Sequence, residues 1–296
     1  RGDRDHPDLP DDAAVSRHGD ARDQSTDDRD PGRTDVPVAF DPDALRYGGA
    51  SREKCFELFT RLGFRSLVME YAPTAETSDA KYRVLTSVDD VAALATELRT
   101  AGRFAMRIIP DVPSAMRAGI VGMAFATAPR AAAYVPCGES EAGGGGLFDS
   151  SEPSAALESR SVLEVLGPIL EETAIAKIGH DLKFDAIVLA RHGVALRGIE
   201  TDTMIASYLL DATRSVHTLE DLALEHAGYK ALREEDLCGR GAKAVLFRDL
   251  PVERARDFAG ERVDLPLQIS GKLRSLLQTE DLESLYARLE LPLIPV

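Results

Sequence analysis

Three strand-length apolar runs, Phe104–Ile109, Ile120–Ala126 and Ala131–Val135, follow one another with only short turns between them. That succession is the mark of an antiparallel meander. After residue 154 the pattern changes to a helix over 154–172, a strand over 175–178, a helix over 182–192 and a strand-turn near Gly198. Alternation of this kind sets strands parallel, with helices on the faces of the sheet. Both kinds of pairing must share one sheet, so the expected fold class is α/β, a mixed sheet flanked by helices. A strand at Tyr82–Leu85 and a helix capped by Ser87, running through Leu98, precede the meander. Asp89 and Asp90 in the first turn of that helix suit its dipole. The remainder is expected to be helical over about 203–210, 218–227, 251–277 and 280–289.

The flanks are organised differently. Residues 1–36 are rich in Asp, Arg and Pro with almost no large apolar side chains, so they cannot offset the entropy of folding and read as a disordered acidic segment. Residues 37–72 read as a small helical piece. Cys55, Phe56, Leu58, Phe59 and Leu62 form the apolar stripe of its first helix, Gly63 stops it, and a second short helix spans Phe64–Tyr71. Small and polar residues make 73–81 a linker, and four glycines at 143–146 make 138–151 a loop. No Gly-Lys-Ser/Thr follows those glycines, so a phosphate-binding loop is not indicated.

Composition narrows the function. Thirty-five basic against fifty acidic side chains give a formal charge of −15, which argues against non-specific nucleic-acid binding by this chain alone. Cys55, Cys137 and Cys238 lack zinc-ligand spacing and read as three reduced thiols, with a cytoplasmic location expected. No apolar run reaches the ~20 residues of a membrane helix. No secretory leader is expected, and the chain, starting at Arg1 and stopping at Val296, is expected to be a piece of a longer protein.

The run Lys177-Ile-Gly-His-Asp-Leu-Lys-Phe-Asp185 reads as a buried strand, a Gly turn and a helix whose early turns carry Asp185. That geometry sets a carboxylate at the mouth of a sheet, where a hard divalent cation could be held. With Leu196-Arg-Gly-Ile199 and Asp202-Thr-Met-Ile-Ala-Ser-Tyr-Leu-Leu210, this stretch resembles the proofreading-exonuclease domain of the bacterial DNA polymerase I family. The string Arg52-Glu-Lys-Cys-Phe-Glu-Leu-Phe-Thr-Arg-Leu-Gly-Phe-Arg-Ser-Leu67 is similar to the end of that family's 5′-nuclease domain. Leu282–Val296 is similar to the start of its polymerase domain. The resemblance implies a ribonuclease H-like sheet over 82–278, with 37–72 closing the preceding domain and 279–296 opening the next.

The resemblance also implies a two-metal site, in which several carboxylates converge on two cations. The family takes them from an Asp-x-Glu strand, from a segment ending in Asp, and from a late Tyr-x-x-x-Asp helix. Only the middle motif matches, at Asp185. On the first strand the two positions are Arg107 and Ile109, and on the late helix they are Phe258 and Arg262. A guanidinium stays cationic and repels metals, and Ile offers no ligand. Asp111, Asp181 and Asp202 are stand-ins that read equally well as turn or cap residues. Glu261 and Asp264 point about 100° and 200° away from residue 262 on a helix. No intact catalytic set and no bound metal are expected. Asp185 is expected to pair with Arg107 or Arg262 as an internally neutralised ion pair.

His180, His192, His217 and His226 read as surface or capping histidines, and Ser215–Thr218 lacks a nucleophile's partners. Lys230–Lys243 reads as a surface loop, in which Arg233, Arg240 and Lys243 are weak candidates for phosphate contact. The expected function is a structural scaffold within a DNA polymerase. Mg²⁺ serves the parent enzyme and not this part, DNA is bound mainly through the polymerase domain, and the chain is a monomer that touches no membrane. Two alternatives stand beside it: an active 3′–5′ exonuclease with a rearranged carboxylate set, and a standalone ribonuclease-D-like nucleic-acid-binding module.

Overall fold

A computed structural model of the chain describes residue 49 and residues 51–74, 79–138 and 156–296. The expected disordered segment, most of the glycine loop and part of the linker lie outside the described residues. Ala50–Val296 forms one compact unit.

Two helices come first, α1 (Arg52–Leu62) and α2 (Arg65–Tyr71). Ser51 caps α1 by accepting from the Lys54 N–H, and Gly63 ends it in the left-handed conformation. Then follow β1 (Lys81–Val84), α3 (Val88–Ala101), β2 (Arg103–Pro110), β3 (Ile120–Ala128), β4 (Ala131–Gly138) and β5 (Leu157–Glu158). The alternating half adds α4 (Ser159–Leu170), β6 (Ala176–Gly179), α5 (Leu182–Arg191), β7 (Ile199–Asp202) and α6 (Thr203–Leu210). The last elements are α7 (Leu219–Leu222), α8 (Glu234–Cys238), α9 (Val252–Thr279) and α10 (Glu283–Leu285). π-helical turns extend α7 over Ala223–Ala227 and α10 over Tyr286–Glu290, so the two helices expected there are each α in part only. The expected loop over Lys230–Lys243 is corrected: it contains α8, which buries Leu237 and Cys238. Apolar side chains at two successive positions gave that short helix something to pack, which the mixed charge around them concealed.

The sheet has seven strands in the order β1-β4-β3-β2-β6-β7, with β5 pairing β4 outside that path. β2, β3 and β4 are antiparallel neighbours, as the meander requires, while β6 and β7 add in parallel to β2. β1 joins the far edge parallel to β4. Alternation along β2 divides the core. Phe104, Met106 and Ile108 pack with α3, α4 and α5 on one face. Ala105 and Ile109 meet Phe258, Ala259 and Val263 of α9 on the other. A third cluster joins α6 and α7 to the later turns of α9 and to Tyr286.

Gly260 sets how close α9 lies to the sheet, because a Cβ there would fall inside the Tyr82 ring of β1. Ile294 packs into the first core cluster and Tyr286 into the third, so the C-terminal turns are anchored to the same unit. Among the described residues, no helix is long and apolar enough to cross a membrane.

Candidate functional site

The β6–α5 turn builds the centre of the site. Gly179 ends β6 where a Cβ would collide with Leu182 and crowd the Met106 carbonyl. Asp181 then takes φ 60°, a left-handed conformation that Asp tolerates better than most residues, and the chain turns into α5. This delivers Asp185 to the β2 strand, fully buried. Its Oδ1 accepts from the Ile108 N–H at 3.3 Å and faces Arg107 Nη1 at 3.3 Å. The same Nη1 donates to the carbonyls of His180 (2.8 Å) and Asp181 (3.3 Å). One guanidinium nitrogen thus faces three oxygens, and its plane lies 5.2 Å from the Phe184 ring centroid. Asp185 Oδ2 has no hydrogen-bond partner. Burial pushes the Asp185 carboxyl up to about 7, against the opposing pull of Arg107.

Of the two arginines expected near Asp185, Arg107 is there and Arg262 is not paired with it. Arg262 bonds Glu220 at 2.8 Å and the Leu232 carbonyl, and stacks 4.4 Å from the centroid of Phe258. Ile109 and Phe258 both sit in the apolar cluster beneath α9.

Two of the three stand-in carboxylates, those of Asp111 and Asp202, are committed to backbone N–H groups. Asp111 accepts from the Gly119 N–H at 2.7 Å in the β2–β3 turn. Asp181 precedes α5, and its N–H donates to Asp202. Buried Asp202 caps α6 by accepting from Met204 and Ile205, and it also accepts from Leu182 at 2.6 Å. Tyr286 closes the same junction, its hydroxyl accepting from the Asp202 N–H and donating to the Asp202 carbonyl. Glu261 and Asp264 turn away from the site. Glu261 accepts from Tyr229 and from the Leu232 N–H, each at 2.6 Å. Asp264 accepts from Tyr82 and from the Arg130 N–H, each at 2.7 Å, and from Gln268 at 2.8 Å. Burial pushes Glu261 up to about 7. Sequence reasoning missed both as anchors. Tyr82 and Asp264 lie 182 residues apart, and no local pattern links them.

Two histidines are corrected from their surface reading. His180 Nδ1 lies 3.0 Å from Thr203 Oγ1, whose hydroxyl donates to the Gly179 carbonyl. His217 Nδ1 lies 2.8 Å from Ser207 Oγ, and its ring meets Tyr208 edge-on. Burial first, then the charges of Arg107, Arg262 and His217, hold the His180 pKa down to about 3. His192 ends α5 with Nδ1 on the Val188 carbonyl, a capping role. Arg233, Arg240 and Lys243 are exposed around α8, among Glu234, Glu235 and Asp236, and Arg240 pairs with Glu235.

The donor set does not fit a pair of hard divalent cations. Such ions take several oxygen ligands each. The strand and helix positions from which the resemblance implies they would come hold Arg107, Ile109, Phe258 and Arg262, and Asp185 has a guanidinium against it. Among the described residues, no three His, Cys, Asp or Glu side chains group as a metal site.

Residues 149–278 match a family model described as 3′-5′ exonuclease. The chain is 32% identical over 279 residues to DNA polymerase I of Pseudomonas aeruginosa, covering 89% of this chain and 30% of that protein. It therefore spans less than a third of that relative's length. Among solved structures, a variant of the catalytic core of RRP6 from Trypanosoma brucei aligns with a TM-score of 0.55 at 18% identity, over 73% of this chain and 53% of that one. Escherichia coli RNase D, titled an exoribonuclease involved in structured RNA processing, aligns with a TM-score of 0.52 at 18% identity, over 73% and 50%. These likenesses identify the fold as ribonuclease H-like.

Proposed function

Because the chain belongs to the bacterial DNA polymerase I family, we propose that its exonuclease-fold unit is a scaffold that has exchanged a metal site for an internal ion pair. The observation that carries this is Arg107 Nη1 set against Asp185 Oδ1, the His180 carbonyl and the Asp181 carbonyl together. A fixed cation there competes with any metal for the same oxygens. Arg107 and Asp185 then hold the β6–α5 turn against β2 instead of hydrolysing a phosphodiester.

On this reading the whole protein is a cytoplasmic, monomeric DNA polymerase acting in replication and repair. Its Mg²⁺-dependent nucleotidyl transfer belongs to a polymerase domain outside this chain. Residues 37–72 end a 5′-nuclease domain, 73–81 link it to the exonuclease-like unit at 82–278, and 279–296 lead into the polymerase domain. The unit spaces its neighbours and meets DNA at most through exposed Arg233, Arg240 and Lys243. The rearranged-carboxylate exonuclease is the less favoured reading, because Asp111 and Asp202 already hold backbone N–H groups and Arg107 is set against Asp185. The ribonuclease-D-like module rests on fold likeness alone.

Titrating the chain with Mn²⁺ and following free ion by electron paramagnetic resonance tests the proposal. No stoichiometric uptake in the micromolar range is expected. One or two tightly bound ions per chain, lost in Asp185→Asn, would reject it.

A further inference from the structure

We propose that the C-terminal segment, residues 283–294, is a strap that fixes where α5 begins, and with it where Asp185 stands against β2. The strap acts whether or not a metal binds, so it goes beyond the scaffold reading and stands apart from it.

The start of α5 has no cap of its own. Asp181, in the capping position, is left-handed at φ 60°, and its side chain makes no cap hydrogen bond. The first N–H groups of a helix then need acceptors from elsewhere. Asp202, at the end of β7, supplies them. Its carboxylate accepts from the Leu182 N–H at 2.6 Å and from the Asp181 N–H at 3.3 Å. The same carboxylate caps α6 through Met204 and Ile205. One fully buried side chain therefore sets the entry of both helices, and Asp185 lies in the first turn of α5.

Asp202 is in turn fixed by the strap. The Tyr286 hydroxyl accepts from the Asp202 N–H at 2.7 Å and donates to the Asp202 carbonyl at 3.0 Å, so it holds both backbone groups of that residue. Burial pushes the Tyr286 pKa up, which keeps the proton that the second bond needs. Tyr286 packs in the third core cluster, Ile294 in the first and Leu291 against both, so the strap crosses from one to the other. Lys183 of α5 donates to the Leu293 carbonyl at 3.3 Å, a direct tie. At the far end Glu283 is held from α9 by Arg274 at 3.3 Å and Gln278 at 3.1 Å. A shift of residues 283–294 reaches Asp185 by way of Asp202 and Leu182, which makes Tyr286 a positioning residue.

Amide hydrogen exchange of the full chain, read residue by residue by NMR at pH 7, tests the strap in Tyr286→Phe, which deletes the hydroxyl and keeps the ring. The Leu182 and Ile108 amides, which donate to Asp202 and Asp185, are expected to exchange about tenfold faster, a loss of local stability the size of an ordinary hydrogen bond. The Val91 and Leu98 amides of α3 and the Arg130 amide bonded to Asp264 should exchange as in the parent. A general loss of stability would speed all of them alike. Glu283→Gln, on the exposed surface at the far end of the strap, should speed the same two amides about threefold, and it decides the matter if Tyr286→Phe does not fold. Leu182 and Ile108 amides that exchange as in the parent, or no faster relative to α3, overturn the strap and leave the scaffold reading standing. Tight Mn²⁺ uptake by the parent would reject the scaffold reading and leave the strap.

Discussion

The carboxylates on the two sides of β2 are buried alike and served very differently. On the α9 side, Glu261 has a donor on each oxygen at 2.6 Å, and Asp264 has three donors between 2.7 and 2.8 Å. On the α5 side, Asp185 has two contacts on one oxygen, both at 3.3 Å, and none on the other. The first pair is what a fold builds when it needs a buried acid: every acceptor filled, each bond tying elements remote in sequence. Asp185 is a buried acid with one oxygen against a cation and the other unfilled. The difference sets two fully served carboxylates apart from one held by a single cation.

The largest effect should come from the well-served side. Asp264→Ala strands the Tyr82 hydroxyl, the Arg130 N–H and Gln268, and should cost about 3 kcal/mol or more in urea unfolding at unchanged m-value. A loss as small as that of a surface mutation would erase the contrast.

Arg107→Leu comes next. It removes the cation beside Asp185 and the donor to the His180 and Asp181 carbonyls, and should cost about 2 kcal/mol at pH 7.5. The cost should shrink at pH 5, where the Asp185 carboxyl is protonated.

Asp185→Asn should sharpen the comparison through its pH dependence. The folded-state pKa of Asp185 is raised from 3.8 to about 7. Its neutral form therefore stabilises the fold fully below pH 3.8, and that contribution is lost as pH rises through about 7. The Asn variant lacks this loss, so its melting temperature relative to the parent should improve from pH 5 to pH 8. Glu261 titrates in the same direction but is present in both proteins and cancels. A relative melting temperature that falls over that range would show that Asp185 is held as a needed anion.

Arg240→Gln should change stability least, by under about 0.5 kcal/mol, because its pair with Glu235 is largely exposed.

What could be read from the chain follows the same divide. The meander and the αβ alternation rest on period and could be anticipated from residues close in sequence, whereas the approach of Arg107 to Asp185 was expected from the motif positions that the resemblance implies. Asp202 was legible as a cap because it directly precedes the apolar α6. The anchors on α9 were not. Whether Asp264 meets Tyr82 depends on how closely α9 seats on β1, which Gly260 decides only once the two are already side by side. Arg262 was drawn towards Asp185 by charge in the reading of the sequence. In the fold, Glu220 and the Phe258 ring are nearer and satisfy it first. The partly buried His180 and His217 read as surface or capping histidines for a similar reason, since their hydroxyl partners Thr203 and Ser207 lie on a helix that periodicity locates but does not orient.

The central claim, that this unit no longer performs metal-dependent hydrolysis, is tested most directly by incubating the chain with a 5′-fluorescent single-stranded oligonucleotide and Mg²⁺ or Mn²⁺, following its length on a gel. No trimming from the 3′ end is expected, and Asp185→Ala should match the parent. Progressive, metal-dependent shortening that Asp185→Ala abolishes would contradict the account.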